Sequence, residues 1–130
     1  MNLENYYKTE GESYKPSNFM FSKIVGVSFE NRQDKIKELK ENEELILERE
    51  PANQYDKNAI KILNSEREHL GYVNKEIAID MAKAMDKGLK FKVIVTSITG
   101  GKDNNYGCNI KIERVKTWNK TIQKKQYLWI

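Results

Sequence analysis

The residues best equipped for chemistry stand together in Asn53–Gln54–Tyr55–Asp56–Lys57–Asn58, just beyond Glu50–Pro51. An aromatic ring, a carboxylate, a lysine and side-chain amides share this one short stretch. An exposed ring can stack on a base, which is worth roughly 1–3 kcal/mol. A carboxylate accepts a hydrogen bond from a hydroxyl group but repels a phosphate. Grouped carboxylates can also hold a metal ion for hydrolysis, and Glu50, Asp56 and Asp103 are the candidates for that chemistry. Their spacing does not match an EF-hand loop. The chain has one histidine, His69, and one cysteine, Cys108. No zinc site of the His/Cys type and no intrachain disulfide is therefore expected.

The elements that must hold this loop are legible on both sides of it. Leu45–Ile46–Leu47 enters it as a strand over Glu44–Arg49, and Ala59–Ile60–Lys61–Ile62–Leu63 leaves it as another. With His69–Val73, the second strand makes a hairpin around Asn64–Glu68. Asn74 and Gly88 bracket a helix over Lys75–Lys87, with Ile77, Met81, Ala84 and Met85 on its buried face. Phe91, Val93 and Val95 mark a further strand. Gly100–Asn105 is its turn, and Tyr106–Val115 returns with Ile110 and Ile112 inward. Upstream, Phe19–Phe29 reads as one long strand bent at Gly26, which places Phe29 on the first strand. Asn31 can cap a short helix with Ile36 and Leu39 on one face, and Asn42 is a left-handed stop. The order predicts a mainly β (α+β) domain, a small OB-like antiparallel barrel of about six strands with two helices.

Length and composition bound the rest. At 130 residues one domain is expected. The division expected is an N-terminal arm over 1–17, the domain over 18–116 and a basic aromatic extension over 117–130. No apolar run reaches the length of a membrane span. No signal peptide is visible, and the lone thiol fits a reducing compartment, so a cytoplasmic location is expected. The net charge is +4, with Lys111, Arg114, Lys116, Lys120, Lys124 and Lys125 opposed only by Glu113 after Ile110. A basic end favours polyanions through counterion release, or is a solvated tail. Trp118, Tyr127 and Trp129 among those lysines extend a nucleic-acid track or pack back on the barrel.

The sequence resembles the HIRAN domain family from Phe19 to Val115. The residues that carry the resemblance are Ile24–Val25–Gly26–Val27, Leu47–Pro51 with Asn53, Tyr55–Ile60, Gly71–Tyr72–Val73 and Lys75–Ala78. The resemblance implies a modified OB-like barrel. In eukaryotes such domains are fused to helicase-like, fork-remodelling ATPases, and in bacteria they stand alone. This chain lacks a G-x-x-x-x-G-K-[ST] loop and resembles the free-standing form. The fused form binds single-stranded DNA by its 3′-hydroxyl end. By that resemblance, Tyr55 and Phe29 stack on the terminal base from opposite sides, and Asp56 accepts from the sugar hydroxyl. Tyr72 and Lys75 face the terminal phosphates, and Tyr106 touches the next base. The family's arginine before the first-strand aromatic is here Ser28.

The function so implied is a non-enzymatic module for single-stranded DNA ends in repair or fork processing. It needs no cofactor and works with a helicase or nuclease in trans. The alternative is an adaptor that takes a peptide in the same groove. Each residue also has a plainer role. Tyr55 could close its loop half-buried, and Asp56 and Asn58 could brace turns through the backbone. Tyr72 could pack on the helix, Phe29 could be core, and Lys75 could simply be exposed. Glu50 reads as a brace, Cys108 as packing and His69 as a hairpin surface residue.

Overall fold

The computed structural model describes residues 19–29 and 31–115. The expected arm over 1–17 and extension over 117–130, with Trp118, Tyr127 and Trp129, lie outside them. The elements are β1 (Phe19–Lys23), α1 (Arg32–Ile36), β2 (Glu44–Arg49), β3 (Ile60–Leu63), β4 (His69–Tyr72), α2 (Lys75–Asp86), β5 (Lys90–Thr99) and β6 (Gly107–Val115). The six strands form one antiparallel sheet in the order β1-β6-β5-β2-β3-β4. This is the expected OB-like architecture, curled into a half-barrel with two helices.

Alternation of side chains dictates the curl. Val93, Val95, Ile110 and Ile112 point inward from the β5–β6 hairpin, and Ile60, Ile62 and Leu70 meet them from β3 and β4. β2 pairs with β5 through Glu44 and Leu45, then with β3 from Ile46 to Arg49, so it bends from one half of the sheet to the other. A register shift between Val95 and Ser97 tightens the turn of β5. α2 covers one opening with Ala78, Met81 and Ala82 buried. Asn74 caps it by accepting from the Glu76 amide at 2.9 Å. Ile36 of α1, with Leu39 just beyond that helix, plugs the core elsewhere. Asn31 stands at the N-cap of α1 but makes no side-chain cap bond.

Among the described residues the two edges of the curled sheet meet at one point. Past β1, Val25 exchanges two 2.9 Å backbone hydrogen bonds with Tyr72 of β4. Gly71 permits this approach: a Cβ there would collide with the Val25 carbonyl oxygen, and its φ is +152°.

One strand is shorter than expected. β1 ends at Lys23, and Gly26, at φ 76°, turns the chain out of the sheet. The Phe29 amide closes the turn on the Gly26 carbonyl at 3.4 Å. Ser28 and Phe29 therefore stand on a turn, not on the first strand. Cys108 is buried as packing, and burial, with the Glu43 charge, pushes its thiol up to about 12. His69 departs from the surface reading: it is half-buried, and its Nε2 is buried without a hydrogen-bond partner among the described residues.

Candidate nucleic-acid interface

The β2–β3 loop is built on Asn53. Its Oδ1 accepts from the amides of Tyr55 at 2.8 Å and Asp56 at 3.0 Å. Its Nδ2 donates to Glu50 Oε1 at 3.1 Å. Asp56 Oδ1 in turn accepts from the Asn58 amide at 2.9 Å. With the backbone satisfied by Asx turns, the Tyr55 ring is released outward and is 87% exposed. It does not close the loop half-buried. Asp56 does brace the turn, and its other oxygen makes no hydrogen bond among the described residues.

Arg49 fixes the far limb of the loop. Its Nη1 donates to the carbonyls of Lys57 and Ala59, each at 3.0 Å. Its Nε and Nη2 grip both Asp86 oxygens at 3.0 and 3.1 Å. The loop is thereby tied to the end of α2.

Glu50 joins the loop to the barrel. Oε1 accepts from the Tyr72 hydroxyl at 2.9 Å, and Oε2 lies 2.8 Å from Lys61 Nζ. Burial alone would raise the Glu50 carboxyl. The bonds from Lys61, Asn53 and Tyr72 outweigh it, and the group is lowered to about 2. A fully engaged carboxylate that stays ionised at neutral pH suits a brace and not a proton shuttle. Desolvation, with the Glu50 bond, raises the Tyr72 phenol, which stays protonated.

These parts enclose a groove of about 520 Å³. Tyr55, Asp56 and the exposed Phe29 line it together with Val25, Tyr72 and Val73. Lys75, the exposed first residue of α2, stands at the rim. Five of the expected site residues thus come together: Phe29, Tyr55, Asp56, Tyr72 and Lys75. Tyr106 does not join them. Its amide donates to Gln33 Oε1 at 2.7 Å, its carbonyl accepts from Gln33 Nε2 at 2.9 Å, and its ring lies against Gly101. It anchors the β5–β6 turn to α1.

Arg32 is the groove residue that sequence reading missed. Its Nη1 donates to the Gly26 carbonyl at 2.7 Å. The guanidinium carbon lies 5.7 Å from the Phe29 ring centroid and 5.8 Å from that of Tyr72. It brings a fixed cation between two aromatic faces. Nothing in its local sequence announces this, because the fold brings the rings to it. Asn53, by contrast, followed by Tyr55 and Asp56 at the spacing of an Asx turn, was findable. No three His, Cys, Asp or Glu side chains among the described residues gather into a metal-binding cluster, so Glu50, Asp56 and Asp103 do not form one.

A model of the HIRAN domain matches residues 17–114, and the chain belongs to the HIRAN domain family. The Helicase-like transcription factor of Oryctolagus cuniculus is 50% identical over 48 residues, 37% of this chain and 5% of that protein. The Fanconi-associated nuclease 1 homolog of Arabidopsis thaliana is 37% identical over 76 residues, 58% of this chain and 8% of that protein. The chain therefore spans only a small part of the length of these curated relatives. Among solved structures, the crystal structure of the HIRAN domain of human HLTF superposes with a TM-score of 0.62 at 26% identity. That match covers 84% of this chain and 85% of the other. The HLTF HIRAN domain in its DNA-bound conformation matches with a TM-score of 0.53 at 26% identity, covering 86% and 87%.

Proposed function

We propose that this protein is a binding module for single-stranded DNA, and that its groove takes the 3′-hydroxyl end. The observation that carries the reading is the pair of exposed rings, Tyr55 and Phe29, lining one groove that also holds Arg32 and Lys75. Rings accept any base by stacking. Cations and the amide-rich start of α2 suit phosphates. Among the described residues Asp56 is the one carboxylate lining the groove, and it suits a hydroxyl where a phosphate would be repelled. The DNA-bound conformation of the HLTF HIRAN domain supports a nucleic-acid ligand for this fold.

On this reading the protein performs no chemistry on its ligand. It presents a strand end to a helicase or nuclease in trans, activities that the relatives' names attach to the larger chains that match this domain. Fluorescence anisotropy with one oligonucleotide, ending in 3′-hydroxyl or 3′-phosphate, tests it. Tighter binding of the hydroxyl end is expected. Equal affinity removes end recognition. No binding at low salt removes the nucleic-acid reading and favours a peptide ligand in the same groove.

A further inference from the structure

Beside the groove lies a second hollow of about 380 Å³, lined by Asn31, Arg32, Lys35, Glu68 and His69. Arg32 lines both hollows. The ridge between them is completed by the His69 and Tyr72 rings, edge to face at 5.0 Å. We propose that a bound strand crosses this ridge at Arg32, and that the second hollow receives the phosphodiester on the 5′ side of the nucleotide preceding the terminal one, a group that a dinucleotide with a free 5′-hydroxyl lacks. The inference rests on the nucleic-acid reading of the groove and extends it by one subsite.

Charge and geometry favour a phosphate there. Arg32 and Lys35 are three residues apart on α1, a spacing that puts both on one face. Among the described residues, Glu68 is the single carboxylate lining the hollow. It is already engaged by Asn64 Nδ2 at 2.8 Å and by Lys35 Nζ at 3.4 Å. The Lys35–Glu68 pair is 31% and 40% exposed. An ion pair in such contact with water is weak and exchanges its partner readily. Lys35 can therefore turn to a phosphate while Asn64 holds Glu68 back. His69 is held towards its neutral form by burial, then by the Arg32 and Lys61 charges, so it adds a wall and not a third cation at neutral pH.

The assignment also accounts for Ser28. The first-strand arginine that the family resemblance implies is absent here. The cation comes instead from α1, where Arg32 lies 5.7 Å from the Phe29 ring centroid and is held by the Gly26 carbonyl. A base stacked on Phe29 would have its backbone led towards Lys35.

The test compares a labelled thymidine dinucleotide with a decanucleotide, both ending in 3′-hydroxyl, by anisotropy across a salt series. The wild-type chain is expected to prefer the decanucleotide. Lys35→Gln should weaken decanucleotide binding several-fold, lower the salt slope by about 0.7, and leave the dinucleotide unaffected. Glu68→Gln should act in the opposite direction and tighten the decanucleotide. Arg32→Gln should weaken both ligands. Because Arg32 also holds the Gly26 turn, the decision rests on Lys35 and Glu68, whose partly exposed ion pair contributes little to folding, and thermal melts of both variants check that the fold is kept. If the wild type binds both ligands yet neither Lys35→Gln nor Glu68→Gln alters decanucleotide affinity or its salt slope, the second subsite is wrong and the groove reading stands. If the wild type binds neither ligand, both readings fall.

Discussion

The Tyr72 hydroxyl donates at 2.9 Å to Glu50 Oε1, the same oxygen that accepts from Asn53 Nδ2. One carboxylate thus positions the residue at the meeting point of the sheet edges and the residue that shapes the Tyr55–Asp56 turn. Glu50 lies outside the groove lining, yet it sets the relation between two of the groove's parts.

That role has a pH signature. The Glu50 carboxyl is lowered from 4.5 to about 2, so its contribution to stability is complete above the ordinary value and lost as pH falls through the folded one. The displacement corresponds to roughly 3 kcal/mol at neutral pH. Glu50→Gln should be destabilised by up to about that amount at pH 7. The gap from wild type should close between pH 4.5 and 2. Urea melts of both proteins across that range measure it, and a gap independent of pH would refute the assignment.

Tyr55→Ala removes an exposed ring that holds no part of the core. DNA binding is expected to weaken by roughly 1–3 kcal/mol through lost stacking, with the melting temperature nearly unchanged. Paired anisotropy and thermal melts check this. A large fall in melting temperature would make Tyr55 a structural residue.

Gly71→Ala should do the reverse and strike the fold. The added methyl group meets the Val25 carbonyl oxygen and the Ile24 side chain, in a backbone conformation that disfavours any Cβ. A loss of about 2–4 kcal/mol is expected from overpacking and strain together. Chemical denaturation gives the value, and a neutral result would mean that the closure at Val25 is dispensable.

Ser28→Arg places a cation on the turn beside Phe29. Ser28 is exposed there, so the substitution should leave stability alone. It should steepen the salt dependence of single-strand binding by about 0.7. An unchanged slope would show that the bound strand leaves the groove on the Arg32 side only.

Most elements were legible because their side-chain periods are strong. Leu45, Val93, Val95, Ile110 and Ile112 alternate, and all are buried as expected. Asn42 does adopt a positive φ of 72°, and Gly88 follows α2 at 96°. The long first strand failed because Val27 and Phe29 continue the alternation while Gly26 reverses the sign of the backbone. Periodicity records which side chains alternate, not where a glycine turns the chain. Tyr106 lies apart from the groove lining for a different reason. Its partner Gln33 lies 73 residues away in sequence, and local spacing carries no information about such a contact. Arg32 was overlooked for the same reason, since Tyr72 reaches it only through the β4 edge.

Among the described residues the junction of Val25 with Tyr72 consists of a single residue pair, and both residues also line the groove. A ligand touching both sides therefore spans the slit where the sheet edges would first part. Occupancy should act as a clasp. The Val25 and Tyr72 amides, which exchange with solvent when the slit opens, should be slowed by bound DNA in proportion to its concentration over its dissociation constant. Amides deep in the β5–β6 hairpin should be slowed less, because they open only with the whole domain. On the strand-end reading proposed above, the width of the groove and the closure of the half-barrel would then be one variable.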